Sequence, residues 1–250
     1  MKRKSIKTRK MRKRNKQRGG SLPWVVVQYD NRQIPDHYKK LIEINREYCK
    51  VHKYEYIFKN EEFDLPPWWI KVKVCLDVLL TNKYNGVIWM DTDASIFDCS
   101  QTVDDFTKDP TKHFFISRDP IEWTGIVNAG VWIVKNTPIG QNIMKDWFNL
   151  YNKEKWVKTG TSWSINNNLS DIDKRWAGIN YEQGSFTEVL LPKYKDSIHI
   201  HPVRTLSHWQ PTKADLSFIG HFFKGLPNGT LHNTQHYIEA FEKSRIKCSN

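Results

Sequence analysis

Asp91-Thr92-Asp93 sets two carboxylates one residue apart, directly after the apolar run Gly86-Val87-Ile88-Trp89-Met90. A run of that kind, bounded by Asn85 and by two aspartates, predicts a buried strand. In an open α/β sheet, ligands gather outside the carboxyl ends of strands. Two carboxylates at such a place can hold a hard divalent cation through oxygen, and the cation can carry a diphosphate such as that of a nucleotide sugar. Spacing alone is a weak signal, and a polar strand end beside a turn is the plain alternative. A second copy, Asp171-Ile172-Asp173, follows the polar stretch Asn166-Asn167-Asn168-Leu169-Ser170 with no strand before it. It reads as a solvated turn or helix start.

Other residues could contribute, each with an ordinary reading beside the chemical one. His221 follows the apolar run Leu216 to Ile219. It is a structural histidine or, if the fold brings it to Asp91 and Asp93, the nitrogen that completes a shell of two carboxylates and one imidazole. That mixed set suits Mn²⁺ better than Ca²⁺. His199 and His201 alternate on a predicted strand and share a face; structural imidazoles are the favoured reading there. Glu182 and Gln183 precede a helical pattern through Phe186, Val189 and Leu190, where an acid suits a helix N-terminus. Arg118-Asp119 could be a loop ion pair or a contact to sugar and phosphate. Asn128-Ala129-Gly130 could be a simple junction of turn and strand, although Gly130 would also permit a close approach to the backbone. Lys224 is an exposed lysine or a partner for a departing diphosphate.

The elements that must position these groups alternate. Trp24 to Tyr29 predicts a first strand, ended by the turn chemistry of Asp30-Asn31-Arg32. Pro35 and Asp36 open a helix in which Tyr38, Leu41, Ile42, Tyr48 and Cys49 recur at helical spacing. Tyr54 to Phe58 alternates as a second strand. After Leu65-Pro66-Pro67 a second helix places Val72, Leu76, Leu79 and Leu80 on one face, and the Gly86 to Met90 strand follows. This alternation argues for a largely parallel sheet. Further strands are expected at His113 to Ser117, Gly130 to Val134, Ser197 to His201 and Ser217 to Phe222. Thr137-Pro138 starts a helix carrying Ile139, Ile143, Trp147 and Tyr151. Residues 152 to 181 are polar and carry no clear pattern.

At 250 residues the chain suits one α/β domain. Its 11 Trp, 10 Tyr and 12 Phe supply core, and some could stack on sugar faces. Trp163, Trp176 and Trp209 fall in the less regular segments and are candidates for an acceptor groove. The net charge of +12 belongs to one end. Residues 1 to 18 hold eleven Lys or Arg and no acid, leaving 28 basic residues against 27 acidic ones elsewhere. Residues 1 to 20 are therefore expected to form a disordered basic tail, either merely solvating or open to an anionic partner such as nucleic acid or a membrane surface. Residues 21 to 250 are expected to form the folded domain, joined through Gly19-Gly20-Ser21. No stretch reaches the length of a membrane span and no apolar region follows the basic start. A soluble protein, cytoplasmic or peripheral, is expected. Cys49, Cys75, Cys99 and Cys248 are widely spaced and expected to be reduced thiols, with Cys49 and Cys75 in the core.

Six segments line up with one family. Tyr48-Cys49-Lys50-Val51-His52-Lys53-Tyr54 resembles its Tyr-Cys-x-x-His-Gly-Tyr block, and Pro67-Trp68-Trp69-Ile70-Lys71 the block opening the next helix. Trp89-Met90-Asp91-Thr92-Asp93-Ala94 is similar to its Trp-x-Asp-x-Asp-Ala signature, and Asn128-Ala129-Gly130-Val131 to its Asn-x-Gly strand start. Glu182-Gln183 resembles its acidic-Gln pair, and Gly220-His221-Phe222 its C-terminal His-Phe. Over residues 22 to 225 the chain thus resembles the GT-A fold nucleotide-diphospho-sugar glycosyltransferases, in particular glycosyltransferase family 34, the galactosyl-, mannosyl- and xylosyltransferases. The resemblance implies a single α/β domain of GT-A, Rossmann-like type with a mostly parallel central sheet. It implies Asp91, Asp93 and His221 as ligands of Mn²⁺ or Mg²⁺. Arg118, Asp119, Asn128, Ala129, Gly130 and Lys224 would bind the donor, expected to be a UDP-sugar. Gln183 and Glu182 would act beside the donor sugar, on the face opposite the leaving diphosphate. The implied reaction is transfer of a hexose or pentose to a glycan hydroxyl with retention. Two departures stand out. Phe223-Lys224-Gly225 replaces the family's more usual Gly before this lysine and Pro after it, and the chain lacks the family's usual membrane anchor, so a virus or microbe is the expected source.

Two other classes compete: a nucleic-acid-binding protein acting through its tail, and a metal-dependent phosphodiesterase using the same aspartates. The near-neutral body offers no large basic face, and two-metal chemistry wants more clustered carboxylates. Truncation of residues 1 to 20 separates the first of these. Sugar transfer is expected to survive it, whereas loss of all function would favour the nucleic-acid reading.

Overall fold

A computed structural model describes residues 22–121, 126–209, 217–221, 239 and 241–243. The basic tail, Phe222 and Lys224 lie outside these residues, as does Cys248. Strand β1 (Trp24–Tyr29) is buried along its whole length, because both faces of its sheet are covered. Helix α1 (Asp36–His52) buries Tyr38, Leu41, Ile42, Asn45, Tyr48 and Cys49 on one side and ends at Lys53 in the left-handed conformation. Strand β2 is Glu55–Lys59. Helix α2 (Pro67–Leu80) has Pro67 in its first turn, where a missing N–H costs nothing. Strand β3 (Gly86–Met90) is buried throughout. The chain then turns through Asp91–Asp93 into the short strand β4 (Ala94–Ile96) and the single-turn helix α3 (Val103–Phe106).

Strand β5 is Phe114–Ser117 and β6 is Asn128–Lys135. Thr137 caps helix α4 (Pro138–Asn149) by accepting the Gly140 amide through its hydroxyl. A hairpin of β7 (Trp156–Thr159) and β8 (Ser162–Ile165) occupies part of the segment that carried no sequence pattern. Helix α5 (Glu182–Ser185) runs on through a π-helical turn, Phe186–Leu190. Strands β9 (Ile198–His201), β10 (Ser207–Trp209) and β11 (Ile219–His221) follow.

Six strands form the central sheet in the order β2-β1-β3-β6-β5-β9. The pairs β1–β2, β1–β3 and β5–β9 are parallel; β6 runs antiparallel to β3 and β5. The expected α/β architecture with a mostly parallel sheet is present. Alternate residues feed opposite layers: Val25, Val27 and Trp89 pack with α2 and α4, while Val26, Ile88 and Met90 pack with α1. A second sheet, β10-β11-β4, lies at the end of β3, with β11 antiparallel to β4.

Several expectations need correction. Leu80 is 41% exposed and Ile139 40%, so neither joins its helix's buried face; both stand at helix ends, where the apolar stripe has run past the sheet. The expected strand at Ser217 to Phe222 starts later, at Ile219, and pairs with β10 and β4 in the second sheet; Phe222 lies outside the described residues. Asp173 serves a turn, as expected: its carboxylate accepts the amides of Arg175 and Ile179 and pairs with the Arg175 side chain. Cys49, Cys75 and Cys99 are buried. No described helix is long and apolar enough to cross a membrane.

His201 is buried on β9, with Nε2 at 3.0 Å from the Phe106 carbonyl. Burial and then His199 push its pKa from 6.5 down to about 4, against the raising effect of that carbonyl. A native imidazole that refuses a proton the unfolded chain accepts costs stability as pH falls. The His201 contribution is complete above about pH 6.5 and is lost towards pH 4, by ~3 kcal/mol in total. Urea unfolding between pH 7 and pH 4 should show a loss smaller by about that amount in His201→Leu than in the unmodified chain. An identical pH slope in both would contradict the assignment.

Candidate active site

The turn after β3 is fixed from several directions. The Asp91 amide donates to the Gly130 carbonyl on β6 (2.8 Å), and the Asp91 carbonyl accepts the Ala94 amide (2.9 Å). The Thr92 hydroxyl donates to the Tyr29 carbonyl at 3.0 Å. The turn is thereby anchored, and the Asp91 and Asp93 carboxylates are half-buried on it.

His221 reaches them. Strand β11 pairs with β4 so that His221 lies opposite Ala94, next to Asp93. Its Nε2 stands 3.2 Å from Asp93 Oδ1 and 3.7 Å from Asp91 Oδ2. One ligand atom from each of Asp91, Asp93 and His221 lies within 4.8 Å of the other two, the single such group among the described residues. Two carboxylate oxygens and one imidazole nitrogen suit a divalent transition ion with positions left for a ligand's oxygens. Burial lowers the His221 pKa, but Asp93 and then Asp91 outweigh it and hold it above the ordinary value. The imidazole sits where only glycine allows it: a Cβ on Gly130 would fall inside the ring, 2.5 Å from Nδ1.

Lys71 had no role in the sequence reading, although its block was noted. It is buried on α2 and its Nζ lies 2.9 Å from Asp91 Oδ1, 3.3 Å from Glu182 Oε1 and 3.3 Å from the Ala129 carbonyl. Burial lowers its pKa, but Asp91 and Glu182 outweigh that and keep it above the ordinary value. Asp91 Oδ1 also accepts the Trp89 indole N–H at 2.8 Å. With Oδ1 so engaged, Oδ2 is the oxygen turned towards His221. A lysine inside the apolar helix Trp68-Trp69-Ile70-Lys71-Val72 was the available signal.

Glu182 and Gln183 are buried in the first turn of α5. Burial raises the Glu182 pKa above the usual range, opposed by Lys71 and reinforced by Asp91. Gln183 Oε1 accepts the Ala129 amide at 2.9 Å, while its Nε2 is buried without a hydrogen-bond partner. A buried amide N–H₂ left over in this way is a ready donor for a bound hydroxyl. Asn128 is held on both sides, Nδ2 donating to Asp119 Oδ1 (3.2 Å) and Oδ1 accepting the Gly130 amide (2.9 Å). Arg118, Asp119, Asn128 and His221 line one small recess. Asp119 is buried and Arg118 exposed.

On the β1 side, a cleft of about 400 Å³ opens in front of the aspartates. Asp30, Arg32, Trp68, Lys71, Asp91 and Asp93 are among the residues that line it. Arg32 pairs with the buried Asp30 through Nε (2.8 Å) and Nη2 (2.7 Å). Burial would raise the Asp30 pKa, but the Arg32 side chain and amide, then Thr92, hold it below the ordinary value. The structure therefore gathers Asp91, Asp93, His221, Gln183, Glu182, Asn128, Ala129 and Gly130 into connected contacts, with Arg118 and Asp119 at the edge.

No family model and no curated protein matches the chain. Among solved structures it is similar to a glycosyltransferase involved in the glycosylation of the major capsid of PBCV-1, at 15% identity and TM-score 0.63, over 88% of this chain and 99% of that one. It is also aligned, at 12% identity and TM-score 0.49, with the apo-form glycosyltransferase GlyE of Streptococcus pneumoniae TIGR4, over 90% of this chain and 64% of that one; no argument rests on that weaker likeness. The chain has a glycosyltransferase fold.

Gly130→Ala tests the packing of the site directly. The added methyl must displace the imidazole, so Mn²⁺ affinity measured by calorimetry should fall at least roughly tenfold with the circular dichroism spectrum retained. Unaltered affinity would show that His221 is not a ligand.

Proposed function

We propose that the protein is a metal-dependent glycosyltransferase that moves a hexose or pentose from a nucleoside-diphosphate sugar, expected to be a UDP-sugar, to a glycan hydroxyl with retention. The observation that carries the reading is the convergence of Asp91, Asp93 and His221 at a strand end beside the 400 Å³ cleft. These three residues would hold Mn²⁺ or Mg²⁺. When bound, such an ion supplies Lewis-acid stabilisation of the departing diphosphate.

The chain's own groups then divide the work. The cleft on the β1 side, with Arg32 and Trp68 in its walls, receives the nucleoside end of the donor. Asn128 and Asp119 present an amide and a carboxylate to sugar hydroxyls, and Arg118 stands over the same recess. Ala129 and Gly130 are assigned to the donor side on the sequence resemblance alone, since the space beside Gly130 holds the His221 ring. Gln183 is assigned, on the sequence resemblance, to stabilising positive charge that develops at the anomeric carbon; its Oε1 is held by the Ala129 amide. Glu182, tied to Lys71, orients the same end of the donor. Lys224 is assigned to the diphosphate on the sequence resemblance alone. One structure to which the chain is similar is a glycosyltransferase involved in the glycosylation of the major capsid of PBCV-1, which supports sugar transfer and is in keeping with a viral source.

Two observations favour this reading over its rivals. One metal-competent group is present among the described residues, whereas two-metal phosphodiester chemistry needs a larger set of carboxylates. Outside the basic tail the charges nearly balance, which leaves little for a nucleic-acid face.

Asp93→Asn removes one negative ligand and leaves the shape. Mn²⁺-dependent hydrolysis of UDP-sugars, read as release of nucleoside diphosphate, should fall by about two orders of magnitude or more. Activity and Mn²⁺ dependence equal to those of the unmodified chain would remove the metal assignment, and release of nucleoside monophosphate would point to phosphodiesterase chemistry instead.

A further inference from the structure

Gln28 and Asn45 are amides buried completely, Gln28 in the apolar strand β1 and Asn45 on the buried, mainly apolar face of α1. Burying an amide is costly unless each polar atom finds a partner. An apolar pair of similar shape would have served the core about as well. What the two side chains hold is therefore informative. Gln28 Nε2 donates to the Asp91 carbonyl at 3.0 Å. Gln28 Oε1 accepts from Asn45 Nδ2 at 3.1 Å and from the Tyr56 hydroxyl at 2.6 Å. Asn45 Nδ2 also donates to the Ala94 carbonyl at 3.0 Å, and its Oδ1 accepts the Ile96 amide at 3.0 Å.

The Ala94 carbonyl and Ile96 amide are the two groups that a residue of a parallel neighbouring strand would bond. Asn45 thus stands in for a missing strand on one edge of β4, while β11 occupies the other edge. Gln28 takes the second lone pair of the Asp91 carbonyl, whose first is used by the Ala94 amide. The turn bearing Asp91 and Asp93 is gripped at its start by Gln28 and just past its end by Asn45, and the two grips are bonded to each other.

We propose that Gln28 and Asn45 are positioning residues for the metal ligands: they fix the separation of the Asp91 and Asp93 carboxylates and the placing of β4 against His221. They act through Asp91, Asp93 and His221 and touch neither substrate nor ion. The proposal rests on the reading of those three residues as a metal site.

The test is Mn²⁺ binding, followed by the loss of the free-ion electron paramagnetic resonance signal, together with thermal melting in the absence of metal. Gln28→Met conserves volume and removes all three hydrogen bonds. Its Mn²⁺ dissociation constant should rise roughly tenfold or more. Met144→Ala, a buried substitution on α4, is the matched control: it should melt at a temperature as low as or lower than Gln28→Met and keep the original dissociation constant. Should Gln28→Met fail to fold, Asn45→Ser breaks the grip on β4 while leaving a polar group, and the same weakening is expected. An unchanged dissociation constant in a folded variant, or equal weakening in the Met144→Ala control, overturns the positioning role while leaving the metal site intact. An unmodified chain that binds no Mn²⁺ overturns the metal-site reading and this role with it.

Discussion

Three residues of antiparallel pairing, Ala94–Ile96 against Ile219–His221, join the first metal-competent residues to the last. Everything at the site follows from that short contact. Because β3 ends in a turn rather than a helix, the chain leaves the central sheet and starts a second one within four residues. The two aspartates occupy the crossing, and the strand that returns much later carries its imidazole to the same point. Gly130 on the neighbouring strand supplies the space for the ring. Sheet geometry, rather than loop flexibility, thus decides which side chains meet, and sites built on such elements are held more closely than sites on loops.

Charge is handled in the same economical way. Lys71 is buried between Asp91 and Glu182, and a buried ion pair is retained only where its partners are close and its remaining hydrogen bonds are satisfied. Here the third direction of the ammonium goes to the Ala129 carbonyl. The lysine ties β3, β6 and α5 together at one atom. It does not engage the outer Asp91 oxygen or Asp93, and both aspartates line the cleft with the negative polarity a dication requires. Glu182, raised above the usual carboxylate range by its burial, relies on Lys71 to offset that rise.

Much of this was legible in the amino-acid order. The strands at Trp24–Tyr29 and Gly86–Met90 stood out because both faces are buried, and continuous apolar runs mark such strands. The helices showed their starts through Pro67 and Thr137-Pro138. Three kinds of feature escaped. Strand β4 is too short to show a period, so the partner that brings His221 to Asp93 could not be foreseen, only hoped for from resemblance. The β7–β8 hairpin has strands of four residues, and the single Ser-Trp-Ser-Ile alternation in β8 is too brief to stand out from its polar surroundings. Lys71, Gln28 and Asn45 interrupt apolar patterns, and a polar residue in such a place is the one local sign that something must be held there. Their partners come from chain segments far away, which no spacing rule encodes.

The bond between His221 and Asp93 spans 128 residues of sequence. A divalent ion shared by these groups would therefore close a very large loop, and it could do so only in the folded chain. Any ligand that binds the native form alone adds to its stability in proportion to the logarithm of its concentration. The small β10-β11-β4 sheet is where that closure would act, since Asp93 directly precedes β4 and His221 ends β11. The ion would then be a clasp as well as a cofactor, and the divalent-cation content of the surroundings would set how firmly the later part of the chain stays attached to the earlier part.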